Sequence, residues 1–335
     1  MAALNAFGPQ PAGYRAQLPT RHPRPGRVRL GLAAALAAGL ILPLAGGALA
    51  AGQHRPVRSA RAVYAVGAEN EYANVIAQLG GPYVRVNAIM SNPNTDPHTF
   101  EASTADARLV ARATLVVQNG VGYDSFMNHL ESASPDARRV VITAAKVMGV
   151  PATAPNPHLF YEPGAMARVA ARIAAALSRL EPAHARYFHA RLKAFDRSLA
   201  PWDRAIGRLR RSYRGAPVAV TEPVADDMLQ AAGLRVLTPW AFQAAIMNST
   251  DPSPQDVGIV EGLIIHRRVR VLVYNQQAVD STTTMLLGLA KRHGVPVVGV
   301  YETMPARHDY QTWMLDETMN VYRALRYHRS YLTMG

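Results

Sequence analysis

The feature that most constrains the fold is a repeated alternation of short apolar runs with longer stretches of helical periodicity. In the first part of the chain, strands are predicted at 61–66, 83–90, 114–118 and 139–143, and helices at 69–79, 103–112 and 123–130. A strand–helix alternation of this kind is typical of parallel sheets whose two faces are covered by helices.

The alternation resumes near the end of the chain. There the predicted strands are 217–221, 234–237, 270–274 and 295–301, and the predicted helices are 224–232, 253–267, 282–293 and 314–327. The two alternating halves predict an α/β protein with two similar lobes, each a mostly parallel sheet flanked by helices.

Two helical stretches, 164–180 and 182–214, separate the halves. At 1.5 Å per residue the second is about 50 Å long, too long for one small lobe, so we interpret it as a connector. Pro201 is expected to kink it or to mark a junction of two helices. The predicted domains are an N-terminal lobe at 61–180, a connecting helix at 181–214 and a C-terminal lobe at 215–330.

Residues 1–50 have the pattern of an export signal. Arg27 and Arg29 precede the apolar run 30–44, and Ala-Leu-Ala at 48–50 offers a cleavage site. The run is short for a membrane span, although an uncut N-terminal anchor helix is the alternative. The chain has no cysteine, which excludes disulfides, thiolate metal sites and a lipid anchor on cysteine. We therefore expect a periplasmic protein without a lipid anchor.

The formal net charge is +13, from 36 Lys and Arg against 23 Asp and Glu. An excess of this size can serve nucleic-acid binding. However, the arginines are spread along the helical stretches and are not clustered with aromatic residues. The charge therefore predicts a mildly basic, soluble surface with no nucleic-acid partner.

Four residues are candidate metal ligands. His98 lies in a proline-stiffened loop, NTDPHTFE at 94–101, and His158 lies in a similar stretch, NPHLFYEP at 156–163. Glu222 and Glu302 each follow a predicted buried strand, where parallel sheets bind ligands. Two imidazoles and two carboxylates suit Zn²⁺ or Mn²⁺. Simpler roles remain open: histidines in loops are often surface residues, and Glu222 can cap the next helix.

The motifs, taken in order, resemble those of one family. They are DPHTFE at 96–101, NGVGY at 119–123, NPHLFYEP at 156–163, Thr-Glu at 221–222 and VPVVGVYE at 295–302. Residues 63–325 resemble the metal-binding receptors of bacterial zinc/manganese ABC importers, the cluster A-I solute-binding proteins. The resemblance implies two lobes joined by a long rigid helix, with the metal held in the cleft between them.

The resemblance also implies the ligand set. His98 and His158 would come from the first lobe, Glu222 takes the third position, and Glu302 takes the fourth, where the family usually has Asp. The sequence departs from the family pattern at Glu302, which is one methylene longer. It also has no His-rich loop between 98 and 158 and no cysteine pair in the second lobe. Imidazole suits zinc and carboxylate oxygen suits Mn²⁺, so the metal stays open.

The function expected from this resemblance is capture of Zn²⁺ or Mn²⁺ by a monomer that delivers it to an ABC permease and its ATPase. A surface or adhesion protein, a zinc hydrolase and a receptor for an organic solute are the alternatives. Asp96 and Glu101 are expected to cap or support the His98 loop, and Asn119 and Tyr123 to line the cleft. The other candidates are expected not to bind metal: His129, His184, His189, His266, His293, His308, Asp226 and Asp227.

Overall fold

The computed structural model describes residues 62–94 and 97–334, so the predicted signal segment lies outside the described residues. Among those residues, no helix combines the length and apolar character that crossing a membrane requires. The described part of the chain forms two α/β lobes, as the alternation predicts.

Each lobe contains a four-stranded, wholly parallel sheet. The first is formed by β1 (Val63–Glu69), β2 (Val84–Met90), β3 (Leu115–Gln118) and β4 (Val140–Thr143), and the second by β5 (Pro217–Val220), β6 (Arg235–Val236), β7 (Leu272–Asn275) and β8 (Val297–Val300). The strand orders are β2-β1-β3-β4 and β6-β5-β7-β8. Because both sheets have the same order, the prediction of two similar lobes is confirmed.

The helices cover the sheets and connect them. In chain order they are α1 (Asn70–Gly80), α2 (Thr104–Arg112), α3 (Ser125–Ala133), α4 (Ala144–Met148), α5 (Ala165–Leu180), α6 (Ala185–Tyr213), α7 (Asp226–Ala231), α8 (Trp240–Met247), α9 (Pro254–Ile265), α10 (Ser281–His293) and α11 (Tyr310–Tyr327). Neither α4 nor α8 is predicted from the sequence. The helix α2 begins directly after Ser103, which forms a reciprocal capping box with Asp106.

The long helix α6 runs through Pro201 as one helix, so of the two alternatives predicted there, a kink or a junction of two helices, the junction is wrong. It contacts elements of both lobes. Arg191 donates from Nε to the carbonyl oxygen of Gln78 in α1 at 2.7 Å. Further along, buried Trp202 donates from its indole nitrogen to Thr318 in α11 at 2.9 Å. The helix therefore connects the lobes and is packed against both of them.

Other hydrogen bonds join the lobes near the carboxyl ends of the strands. Asn70 at the start of α1 donates to the carbonyl oxygen of Met304 at 2.8 Å and accepts from the Met304 amide at 3.0 Å. The Tyr310 hydroxyl donates to the carbonyl oxygen of Phe160 at 2.7 Å. These bonds hold the segment after β8 against the first lobe.

Candidate metal centre

The two carboxylates of the site are placed by the second sheet. Glu222 stands two residues beyond the end of β5, and Glu302 stands two residues beyond the end of β8. In a parallel sheet all strands end at one edge, so both carboxylates emerge on the same side. Both residues are buried, at 2% and 0% exposure. Buried carboxylates at a sheet edge need a cation or hydrogen-bond donors.

The two histidines come from loops of the first lobe. His98 lies in a short 3₁₀ turn, Pro97–Thr99, beyond the end of β2, and His158 precedes another such turn, Leu159–Tyr161. The Asn156 side-chain oxygen lies 2.8 Å from His158 Nδ1 and accepts the His158 backbone N–H at 3.1 Å. Because Nδ1 is held in this way, the Nε2 atom of His158 faces the centre.

All four predicted ligand residues meet at one point. One ligand atom from each lies within 4.8 Å of the ligand atoms of the other three. Glu302 Oε2 is 2.8 Å from His158 Nε2 and 3.1 Å from His98 Nε2. Glu222 Oε1 is 3.3 Å from His98 Nε2. The four atoms therefore surround a space in which a single cation could contact all of them.

The charges of the site fit a cation. Burial lowers the pKa of His98, but the carboxylates of Glu302 and Glu222 outweigh it and raise that pKa to about 11. Burial acts to raise the pKa of Glu302, but the two imidazoles hold it below its ordinary value. Burial and the Glu302 charge raise the pKa of Glu222. The proton on His98 thus compensates part of the carboxylate charge, as a divalent ion would do more fully.

Only one of the four side chains is reachable from solvent. The His98 side chain is 15% exposed, whereas those of His158, Glu222 and Glu302 are at 0%. A cavity of about 390 Å³ adjoins His98 and is lined by residues of both lobes, among them Tyr123 and Trp240. This cavity gives access to the centre from the His98 side.

Two polar residues that were not predicted from the sequence hold the glutamates, one through the carboxylates and one through the backbone. Asn275, the last residue of β7, donates from its side-chain amide to Glu302 Oε1 at 2.6 Å and also to Glu222 Oε2. Gln277 accepts from the backbone amides of Glu302 and Thr303, at 2.6 and 2.9 Å. A signal for Asn275 was present in the sequence, because it also is a polar residue that ends a buried apolar strand.

The predicted lining residues Asn119 and Tyr123 lie in a strained loop after β3. Gly120, Val121 and Gly122 in succession have positive φ, and a β-branched residue such as Val121 rarely adopts this conformation. The loop brings the Tyr123 hydroxyl to Glu302 Oε2, to which it donates at 3.2 Å. Asn119 lies deeper, where its amide donates to the carbonyl oxygen of Pro157, next to His158, at 2.8 Å.

A group of buried acids lies near the centre in the first lobe. Burial raises the pKa of Glu69 well above its ordinary value and that of Glu71 to about 8. The charge of the neighbouring Asp124 acts in the same direction on both pKa values. Burial raises the pKa of Asp124 itself to about 6, and its carboxylate accepts the Gly120 amide at 2.9 Å. None of the four carboxylate oxygens of Glu69 and Glu71 has a hydrogen-bond partner among the described residues. Both side chains are therefore expected to hold their protons at neutral pH.

The residues expected not to bind metal lie outside this four-residue group. The ring of His184 stacks on Tyr83, with 3.7 Å between ring centroids, and His189 is exposed. His308 lies 3.4 Å from Asp316. The other residues expected not to bind metal are His129, His266, His293, Asp226 and Asp227. Asp96 lies outside the described residues, and Glu101 is exposed.

This two-lobed arrangement has known counterparts. The model of the family described as zinc-uptake complex component A, periplasmic (ZnuA), matches residues 66–324. The chain belongs to this family. ZnuA-family proteins are metal-binding solute receptors of ABC importers, so the resemblance read from the motifs is confirmed.

Solved structures share the ZnuA-family fold. The periplasmic zinc-binding protein TroA from Treponema pallidum is 17% identical with a TM-score of 0.68, over 80% of this chain and 100% of that one. A Mn-bound periplasmic metal-binding protein from Candidatus Liberibacter asiaticus is 14% identical with a TM-score of 0.65, over 78% of this chain and 99% of that one. A crystal structure of ZnuA is 17% identical with a TM-score of 0.62, over 80% and 98%. At these identities the likeness shows the two-lobed fold.

Proposed function

We propose that this chain is the periplasmic receptor of an ABC importer and that it captures Zn²⁺ or Mn²⁺ with His98, His158, Glu222 and Glu302. The observation that carries the proposal is the convergence of one ligand atom from each residue within 4.8 Å of the others. Two ionised carboxylates and two neutral imidazoles balance the charge of a divalent ion. A zinc-binding protein and a Mn-bound metal-binding protein of the same fold support this class of cargo.

The number of candidate protein ligands supports capture without catalysis. A catalytic zinc site keeps three protein ligands and an open position for water or substrate. Here four protein atoms surround the space, and three of the four side chains are at 0% exposure. A zinc hydrolase is therefore the weaker alternative. Hydrolytic turnover that disappears in His98→Ala would favour it.

Release to the permease is proposed to involve local rearrangement of the ligand segments. The helix α6 packs against both lobes. In addition, the Asn70 side chain forms two hydrogen bonds with the backbone of Met304, two residues after Glu302. A wide opening of the cleft would have to break these bonds. Loop and side-chain changes near Glu222 and Glu302 need not. Metal-free and metal-loaded crystal structures with no local difference would contradict this mechanism.

The proposal includes the cellular setting. We propose that the N-terminal segment 1–50 directs export, that the mature protein carries no lipid anchor on cysteine, and that it acts as a monomer beside a membrane permease and its ATPase. Size-exclusion chromatography with light scattering tests the monomer, and the N-terminal sequence of protein from the periplasm tests the cleavage.

The central experiment is a metal titration of purified protein. Wild type should bind one Zn²⁺ per chain, and His158→Ala should weaken binding by more than about 100-fold, because even supporting residues around metals contribute 10- to 100-fold. His189→Ala is the matched control, since His189 is an exposed histidine on α6. Equal zinc affinity of wild type and His158→Ala would overturn the proposed site.

A cellular experiment separates uptake from adhesion. Deletion of the gene should reduce Zn²⁺ or Mn²⁺ uptake, and the wild-type chain but not His158→Ala should restore it. A deletion that abolishes attachment and leaves the uptake of both metals intact would favour an adhesion role instead.

A further inference from the structure

The amide of Asn275 lies between the two carboxylates of the centre. In the second sheet β7 stands between β5 and β8, the strands that lead to Glu222 and Glu302. Asn275 is the last residue of β7 and is 1% exposed. Its position in the sheet therefore places one polar side chain against both glutamates.

The orientation of this amide is fixed by its own contacts. The side-chain oxygen of Asn275 accepts the backbone N–H of Gln277 at 3.0 Å, so the nitrogen end faces the glutamates. That nitrogen carries two N–H groups. One donates to Glu302 Oε1 at 2.6 Å and the other to Glu222 Oε2. Each carboxylate thus has one oxygen bound to the same amide.

The remaining oxygen of each carboxylate faces the histidines. Glu302 Oε2 is 2.8 Å from His158 Nε2, and Glu222 Oε1 is 3.3 Å from His98 Nε2. The backbone of Glu302 is held separately, because its amide donates to Gln277 at 2.6 Å. The two bonds to Asn275 restrict the rotation of both carboxylates, and the Tyr123 hydroxyl adds a contact to Glu302 Oε2 at 3.2 Å.

We propose that Asn275 is a specificity-determining residue that limits Glu222 and Glu302 to one metal-binding oxygen each and so favours Zn²⁺ over Mn²⁺. This inference rests on the proposed function of the site. Zn²⁺ accepts four ligands in tetrahedral geometry, which two histidine nitrogens and two single oxygens supply. Mn²⁺ prefers six ligands rich in oxygen, which requires the second carboxylate oxygens or added water.

The variant that tests this role is Asn275→Ala, which frees Glu302 Oε1 and Glu222 Oε2. Zn²⁺ and Mn²⁺ affinities are measured by competition with a chelator, and the ratio of the two dissociation constants should shift toward Mn²⁺ by about tenfold or more. Asn320→Ala is the matched control, since Asn320 is an asparagine at 2% exposure whose amide pairs with Arg323 in α11. The control should leave the ratio unchanged.

The coordination geometry is read separately with Co²⁺. Wild type should give the intense visible absorption of a tetrahedral Co²⁺ site, and Asn275→Ala should give the weak absorption of a site with more ligands. An unchanged metal ratio together with an unchanged Co²⁺ spectrum in the folded variant would overturn the inference.

A measurement on the unaltered protein covers the case in which Asn275→Ala does not fold. In a crystal structure of the zinc-loaded wild type, each glutamate should contact the ion through one oxygen, with Asn275 bonded to the other. Two oxygens of either glutamate on zinc would overturn the inference while leaving the metal site itself supported. Failure of wild type to bind any of these ions would instead overturn the proposed function.

Discussion

At the residue scale, the proton on His98 is the competitor that a metal ion must displace. In the metal-free protein the carboxylates of Glu302 and Glu222 overcome the effect of burial and raise the pKa of His98 to about 11. A metal-binding imidazole must be neutral at the binding nitrogen. Binding near neutral pH should therefore release about one proton from His98, and affinity should rise with pH.

The expected dependence of zinc affinity on pH can be stated as a slope. Between pH 6 and pH 8, the apparent dissociation constant for Zn²⁺ should fall by about tenfold per pH unit, as for exchange of one proton. Isothermal titration calorimetry in buffers of different ionisation enthalpy counts the released protons. A dissociation constant that does not change with pH would contradict a protonated His98 in the metal-free protein.

The length of the fourth ligand gives a second prediction. Glu302 Oε2 reaches His158 Nε2 at 2.8 Å and the Tyr123 hydroxyl at 3.2 Å, and its partner oxygen reaches Asn275. Glu302→Asp withdraws the carboxylate from these contacts by one methylene. Zinc affinity should fall by roughly 10- to 100-fold, as measured by chelator competition.

The matched control for this change is Glu162→Asp, which shortens a partly exposed carboxylate that pairs with Arg168 at 2.8 Å. It should bind zinc like wild type. Wild-type affinity in Glu302→Asp would mean that the backbone adjusts freely to the shorter side chain.

How far the sequence predicts the centre depends on the residue. Glu222 and Glu302 follow from the rule that ligands bind beyond the ends of parallel strands, and His98 and His158 needed the family motifs because no local spacing links them. Asn275 obeys the same strand-end rule, but an uncharged amide was not counted as a candidate. Its role depends on which strands are neighbours, which the order along the chain does not give.

At the element scale, α11 supports the segments that carry His158 and Glu302. The buried carboxyl of Glu317 accepts from Trp313 Nε1 at 2.7 Å and from the Tyr301 backbone amide at 3.1 Å. It also accepts the Tyr161 hydroxyl. Tyr301 precedes Glu302, and Tyr161 lies three residues after His158. One helix therefore fixes two ligand-bearing segments that belong to different lobes.

Glu317→Leu should remove this support. The buried donors of Tyr301 and Trp313 would lose their acceptor, at a cost of about 1–3 kcal/mol in the free energy of unfolding. The Tyr161 hydroxyl would keep the Tyr301 carbonyl oxygen, to which it also donates at 2.6 Å. Zinc affinity should fall as well, because the ligand segments lose a common anchor. Glu317→Gln keeps an acceptor of the same size and should preserve both properties. Urea unfolding and zinc titration give the two readouts, and a fully stable Glu317→Leu variant would contradict the assigned support.

The helices α4 and α8, which were not predicted, show where hydrophobic periodicity fails to indicate a helix. The helix α8 has Gln243 as its one polar residue, so its sequence shows no polar face to reveal a helical period. The helix α4 has five residues, less than two turns. In contrast, α6 was predicted within three residues at its start, because its apolar positions repeat over its whole length.

At the scale of the whole molecule, buried acids make the stability of the metal-free protein depend on pH. Burial raises the pKa of Glu71 and of Glu317 from 4.5 to about 8, and that of Asp226 to about 7. Each group binds its proton more tightly in the folded chain than in the unfolded one. Their contribution to stability is therefore complete below about pH 4 and is lost as pH rises toward 8.

The expected result is a higher midpoint of urea unfolding at pH 5 than at pH 8 when a chelator keeps the protein free of metal. Glu302 acts in the opposite direction only below its ordinary pKa, outside this window. Glu71→Gln cannot ionise, so it should raise stability at pH 8 by at least about 1 kcal/mol, the equivalent of one pKa unit. Glu101→Gln, at an exposed site, is the control. Equal midpoints at both pH values in wild type would refute the prediction.

The uneven exposure of the four ligands has a kinetic consequence. With the side chains of His158, Glu222 and Glu302 at 0% exposure and that of His98 at 15%, we expect an ion to reach or leave the centre past the His98 imidazole. His98 is then the last ligand to bind and the first to let go. Residence time and affinity then become partly separate properties: all four proposed ligands contribute to how tightly the ion is held, and the His98 ring also determines how fast the ion is exchanged with a chelator or a permease.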